Sequence, residues 1–297
     1  MQDFSFYSPE QSVHHPLYRL KGVAVSFKRD DMIHPFISGN KWRKLKYNLQ
    51  KARAEGKDHL ITFGGAWSNH ILATACAGAI FGYSTEAFIR GESVDNPVLG
   101  MCQLFGMKLH FVSREQYRDK QQLFAAHPTS AKAYFIDEGG RGMEATLGCR
   151  EIISELSTVY DHIFCAAGTG TTAAGIAGAL SEKGLRSTLH VVPVLKGGGF
   201  IADEMQQLQA PLDQTRLHTD YHFGGYAKTK PELLDFIKDF VTQTGILIEP
   251  TYTGKALYAL HDLIRQDRLE RGSRILFIHT GGLTGLLGFL DRFKLDA

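Results

Sequence analysis

No apolar run in this chain reaches the ~18 residues needed to cross a bilayer as a helix. Stretches such as Ile71 to Phe81 fall well short of it. No membrane partner is therefore expected. Charge of one sign is also lacking: 33 Lys and Arg stand against 31 Asp and Glu, for a net +2. Such a balance gives no field to draw nucleic acid, and the basic run from Lys41 to Arg53 is local. Cysteine is scarce. Cys76, Cys102, Cys149 and Cys165 are widely spaced without a CxxC pair, so they read as reduced core thiols, and no metal centre is expected. The segment Met1 to Pro16 lacks the basic, apolar and cleavage regions of a signal peptide, which points to the cytoplasm. No GxxxxGK[ST] occurs, so an ATPase has no support.

What is present is an alternation of strands and helices. Runs rich in Val, Ile and Phe recur at Gly22 to Lys28, His59 to Phe63, Ser84 to Ile89, Lys108 to Ser113, Ala133 to Asp137, His162 to Ala167, Thr188 to Leu195 and Arg274 to Thr280. Most lack clean polar alternation, as parallel strands covered on both faces do. Helical periods lie between them. Trp42, Leu45, Leu49 and Ala52 share one face, leaving Lys44, Lys46 and Arg53 for water. Asn96-Pro97 opens a helix through Leu104 that Gly106 closes. The pattern predicts an α/β protein in two lobes, with Gly139-Gly140 as the place to cross between them.

Three segments carry chemistry. Lys41 heads a basic, helix-like stretch after Ser38-Gly39-Asn40. Gly64-Gly65-Ala66-Trp67-Ser68-Asn69-His70 is a turn between a strand and a helix. Gly168-Thr169-Gly170-Thr171-Thr172 follows a buried strand and precedes small helix-forming residues. Converging N–H groups, threonine hydroxyls and a helix N-terminus suit a phosphate, although a glycine turn needed for packing alone gives the same pattern. Gly168-x-Gly170-x-x-Ala173 also matches a dinucleotide fingerprint, yet Pro193, Leu195 and Lys196 stand where that site needs an acid. A nicotinamide oxidoreductase is thus the outside reading. A reactive lysine beside a phosphate cup points to pyridoxal 5'-phosphate.

The segments Ser38 to Leu45, Gly65 to His70, Gly168 to Gly170, Gly225-Tyr226, Pro250 to Lys255 and His279 to Gly282 resemble, in order, the motifs of one pyridoxal phosphate enzyme family. That family holds D-cysteine desulfhydrase and 1-aminocyclopropane-1-carboxylate deaminase. The resemblance implies the tryptophan synthase β-like fold, PLP fold type II: two open twisted, mostly parallel sheets with the cofactor between two domains. It places residues 1–45 with 145–297 in a large domain and 46–144 in a small inserted one. It implies a homodimer acting on a small amino acid. By the same resemblance Lys41 is the Schiff-base lysine, Asn69 bonds the pyridoxal 3-hydroxyl, and Gly168, Thr169, Gly170, Thr171 and Thr172 form the phosphate cup. Thr280 faces the ring nitrogen. Ser68, Tyr226 and Tyr252 are the catalytic partners of Lys41, and Asn69, His70 and Thr253 join them in binding substrate.

The residues themselves admit plainer roles. Lys41 reads equally as a solvated helix lysine, Ser68 or Asn69 as a helix N-cap, His70 as a satisfied helix histidine, and the tyrosines as packing groups. If Lys41 is reactive, burial and neighbouring Arg43 and Lys44 are expected to disfavour its ammonium, freeing it to exchange an imine and then take an α-proton. A neutral Thr280 suits α,β-elimination better than transamination. The family's ring-opening deaminases have glutamate and leucine where this chain has Thr253 and Thr280, so D-cysteine desulfhydrase-like lysis is expected, with ring-opening deamination and a cofactor-binding protein of little activity as alternatives. Trp67 replaces the family's glutamine, and Ile71-Leu72-Ala73 lacks an arginine-glutamine pair found there. These departures bear on the substrate pocket.

Overall fold

The computed structural model describes residues 5–293. Strands β1 (Glu10–Val13) and β2 (Ala24–Lys28) flank helix α1 (Pro16–Lys21), and helix α2 (Asn40–Ala54) follows. Next come β3 (His59–Gly64), α3 (Asn69–Phe81), β4 (Ser84–Arg90), α4 (Pro97–Leu104), β5 (Lys108–Val112), α5 (Lys120–Ala125) and β6 (Ala133–Ile136). The chain then runs through α6 (Met143–Ser154), β7 (His162–Ala167), α7 (Thr171–Glu182), β8 (Thr188–Pro193), α8 (Phe200–Gln207) and β9 (Thr215–Leu217). It ends in α9 (Pro231–Thr244), α10 (Thr253–Arg265) and β10 (Arg274–Ile278).

The strands form two sheets, ordered β1-β2-β10-β7-β8-β9 and β5-β4-β3-β6. Only β1 runs antiparallel. The apolar runs explain this choice: every residue of β3 and all but the first of β7 are buried, which requires helices on both faces. The large sheet packs Phe27, Phe164 and Phe277 under α9 and α10 on one side, and Ile163, Leu189 and Ile278 under α7 and α8 on the other. Helix α2 gives its apolar stripe, Trp42, Leu45, Leu49 and Ala52, to α3 and the small sheet. Residue 45 thus lies mid-helix. Each expected strand is present to within two residues. The short β1 and β9, polar at most positions, carried no legible pattern.

This topology fixes where chemistry can occur. In open parallel sheets, ligands gather beyond the carboxyl ends of the strands, where helix N-termini converge. The ends of β3, β7 and β10 lead directly into Ser68-Asn69, Gly168 and Thr280.

Candidate cofactor site

One cavity joins these three strand ends. Lys41, Asn69 and Thr280 line it together with the whole Gly168 to Thr172 loop. Tyr252 adds a wall, as do Asn40 and Lys44. The loop before α2 is clamped to the segment after β10. Gly39 has φ 62°, and a Cβ there would lie 1.8 Å from the Thr280 carbonyl oxygen. The Asn40 amide donates to that same oxygen at 3.3 Å. Only glycine permits the close approach, which delivers the second residue of α2 into the cavity.

That residue is Lys41. It is half-buried, and among the described residues its amine has no hydrogen-bond or ion-pair partner. Burial, reinforced by the Lys44 charge and opposed by Cys149 and Glu249, pushes it down to about 7. Lys44 does not face water as the helical pattern predicted. It is buried, donating to the Gly139 carbonyl at 3.0 Å and to Thr169 Oγ1 at 3.4 Å. The register of α2 is steeper than a one-stripe reading allows, because α6 and the Gly139 turn cover a second face. Arg43 also departs from expectation. It is fully buried in ion pairs with Asp30, at 2.8 Å, and with Glu155. Burial opposes its charge, but the two carboxylates outweigh that and hold it ionised. Its charge is spent on anchoring α2, not on Lys41.

The glycine loop opens α7. Gly170 is its N-cap and offers no side-chain acceptor, so the first-turn N–H groups that an α-helix leaves unpaired remain for a ligand. Hydroxyls gather at the same place: Thr169 Oγ1 lies 3.2 Å from Thr171 Oγ1, and Thr172 Oγ1 accepts from Asn40 Nδ2 at 2.9 Å. Among the described residues no aspartate or glutamate lines the cavity. With Lys44 buried beside Thr169, the cup favours an anion.

Tyr252 packs on Gly168, where a Cβ would meet its ring at 3.1 Å. Its turn is built by Glu249, which the sequence reading did not single out. The buried Glu249 carboxylate accepts from the amides of Thr251, Tyr252 and Thr253 at 2.6–2.7 Å. Burial raises its pKa against the pull of those amides. Thr253 is wholly buried and its hydroxyl serves this turn, giving to the Glu249 carbonyl at 3.3 Å, so it does not reach the cavity wall. Tyr226, 44% exposed, sits outside the wall with its ring edge-on to Tyr252 at 5.9 Å. Burial holds the Tyr252 phenol well above its ordinary range, so it stays a proton donor.

At the end of β3, Ser68 caps α3, its Oγ accepting from the Ile71 amide at 3.3 Å. Asn69 Oδ1 accepts from Thr284 Oγ1 at 3.1 Å, a residue outside every motif named above. His70 is turned away. Its Nε2 lies 2.8 Å from Thr62 Oγ1 beneath α3, and burial, then the charges of Lys41 and Lys44, lower its pKa well below the usual imidazole range. It is a neutral core histidine. Trp67 is exposed, with its ring against the backbone at Gly288.

An amine without a partner, a helix N-terminus flanked by hydroxyls, and a glycine wall under an aromatic ring fit a phosphorylated aldehyde. With such a group bound, Lys41 would supply the nucleophile, Gly168 to Thr172 with Lys44 would seat the phosphate, and Asn69, Tyr252 and Thr280 would add the surrounding polar contacts.

Residues 13–281 match the family model described as pyridoxal-phosphate dependent enzyme. A putative 1-aminocyclopropane-1-carboxylate deaminase of Pyrococcus horikoshii is 32% identical, covering 91% of this chain and 88% of its own. A mitochondrial bifunctional D-cysteine desulfhydrase/1-aminocyclopropane-1-carboxylate deaminase of Arabidopsis thaliana is also 32% identical, covering 91% of this chain and 75% of its own. Among solved structures, an ACC deaminase homologue superposes with a TM-score of 0.85 at 30% identity, covering 98% of this chain and 94% of that one. The chain belongs to the pyridoxal-phosphate dependent enzymes of the tryptophan synthase β-like fold.

Proposed function

We propose that this enzyme performs α,β-elimination on a small amino acid bearing a good leaving group, D-cysteine or a β-substituted relative, giving a 2-oxo acid, ammonia and the departing group. The observation that carries the reading is the cavity wall: Thr280 lines it and, among the described residues, no carboxylate does. When bound, the cofactor supplies an aldehyde for the substrate amine and a ring that withdraws electrons from the α-carbon. Without a carboxylate to keep the ring nitrogen protonated, that withdrawal is mild, and a good leaving group compensates.

The chain's own groups divide the remaining work. Lys41, held near half-ionised at neutral pH, takes the α-proton. The unpaired amides at the start of α3, with Ser68 and Asn69, receive the substrate carboxylate. Tyr252, backed by Tyr226, donates a hydrogen bond on the opposite side and is the group we assign to orient the substrate. Thr253 acts through the Glu249 turn that sets Tyr252, and His70 supports α3 from below.

A second reading, ring-opening deamination, is favoured by the names of the Pyrococcus horikoshii and Arabidopsis thaliana relatives. Product release from the purified, cofactor-loaded enzyme separates the two. Pyruvate from D-cysteine is expected. Release of 2-oxobutyrate from 1-aminocyclopropane-1-carboxylate without pyruvate from D-cysteine selects the second reading, and neither product from these or from L-cysteine overturns both.

We also assign residues 46–144, which contain the whole β5-β4-β3-β6 sheet, to the small domain. We take the working form to be a cytoplasmic homodimer, a matter for sedimentation and fractionation. Among the described residues no helix is long and apolar enough to cross a membrane.

A further inference from the structure

One face of the small sheet carries polar residues that the cofactor site does not use. In the parallel register Glu86 of β4 lies beside Ile61 of β3 and Lys108 of β5. Alternate residues of a strand share a face. His59, two before Ile61, and His110, two after Lys108, therefore emerge on the same side as Glu86, in line with the aromatic cluster of Phe63, Phe88 and Tyr117. His127, in the segment after α5, closes over them with its ring edge-on to Phe88 at 5.8 Å and to His110 at 5.4 Å.

All three imidazoles present Nε2 to the single Glu86 carboxylate. His59 lies 3.1 Å from Oε1, His127 lies 3.2 Å from Oε2, and His110 also contacts Oε2. The ligand atoms of Glu86, His110 and His127 fall within 4.8 Å of one another. Ligands placed tetrahedrally at zinc's usual 2.0–2.2 Å stand roughly 3.3 Å apart, and His127 Nε2 and Glu86 Oε2 stand at that spacing. Protons alone leave the set incomplete. His59 is only 9% exposed, and its Nε2, although close to Oε1, is out of line for a hydrogen bond and has no partner. At His127 the other ring nitrogen, Nδ1, sits 2.9 Å from Thr129 Oγ1. Such an outer contact fixes the tautomer that turns Nε2 inward, as in metal-bound histidines.

We propose that Glu86, His110 and His127 bind a divalent transition metal of the zinc class, with His59 packed beside the carboxylate. Two imidazoles and one carboxylate form a nitrogen-rich set that suits Zn²⁺ and not Mg²⁺ or Ca²⁺, and three protein donors leave a fourth position for water. None of these residues lines the cofactor cavity. The metal would tie β4 and β5 to the segment after α5, and the partly exposed His110 gives it an entry path.

The test uses the cofactor-loaded enzyme, stripped of metal with a chelator and titrated calorimetrically with Zn²⁺. One equivalent per chain is expected, with a raised melting temperature and an unchanged visible cofactor band. Losing a ligand in His110→Ala or His127→Ala is expected to weaken binding by more than about tenfold, since even outer contacts are worth that much. Co²⁺ bound to the unmutated enzyme should show the intense d–d bands of tetrahedral nitrogen and oxygen ligation, which requires no variant to fold. Absence of a bound equivalent, octahedral Co²⁺ bands, or undiminished affinity in both variants overturns the proposal.

Discussion

The most telling number in the site is the acidity of Lys41. Held at about 7 against an ordinary 10.5, its amine is about half neutral at pH 7, where an unperturbed lysine would be neutral in about 1 molecule in 3000. Only the neutral amine attacks an aldehyde, so the rate at which apo-enzyme captures pyridoxal phosphate, read from the visible band, should climb through pH 7 and level off by about pH 8. The sign of the linked stability follows. A lysine whose folded pKa is depressed opposes folding when charged, so apo-enzyme stability should rise with pH between about 7 and 10.5. At ~1.4 kcal/mol per unit the full shift is worth about 5 kcal/mol. The side chain meets cavity water, so a stabilisation of about 1–2 kcal/mol is expected for Lys41→Met in the apo-enzyme near pH 7. Because the Lys44 charge contributes to the shift, Lys44→Met should move the capture midpoint upward. A midpoint above pH 9 in the unmutated enzyme, or one that Lys44→Met leaves in place or lowers, would refute the assignment of cause.

Further consequences are open to direct measurement. Gly39→Ala puts a methyl into the Thr280 carbonyl at a positive φ, and a loss of about 2–4 kcal/mol in denaturant unfolding is expected, with the visible band weakened. Arg43→Met leaves the buried Asp30 without its cation, while Glu155 keeps Lys28 at 2.8 Å; the substitution should cost about 3–5 kcal/mol, whereas its effect on the Lys41 midpoint should be slight. Thr280→Glu places a carboxylate on the cavity wall. The absorption and fluorescence of the bound cofactor are expected to change, and an unaltered spectrum would mean Thr280 does not face the ring nitrogen.

Most of the site was legible because its residues belong to short motifs at strand ends, where glycine, hydroxyl and amine groups are adjacent in sequence. Lys41, Asn69, Tyr252, Thr280 and the Gly168 to Thr172 loop all reach one cavity. Other positions could not be read so locally. Lys44 looks solvent-facing on the stripe of α2, and its burial depends on the Gly139 turn ninety-odd residues away. Glu249 sits in Ile248-Glu249-Pro250, which carries no periodic or motif signal, and becomes significant through the three amides that fold back onto it. Ser68, Tyr226 and Thr253 share the motifs yet do not line the cofactor cavity, a distinction that depends on χ angles and turn geometry.

By itself the sequence determined the α/β alternation, the parallel sheets and the cofactor, since burial on both faces and glycine-bounded strand ends are local properties of the chain. The tertiary structure decided which charges are free. Arg43 and Lys41 are two residues apart on one basic helix, yet packing buries Arg43 between Asp30 and Glu155 and leaves Lys41 without a partner. It likewise decided that Glu86, His110 and His127 share one point with His59 beside them, because sheet register brings together residues from elements far apart in the chain. Pairing and desolvation depend on neighbours across space, and those neighbours exist only once the sheets have formed.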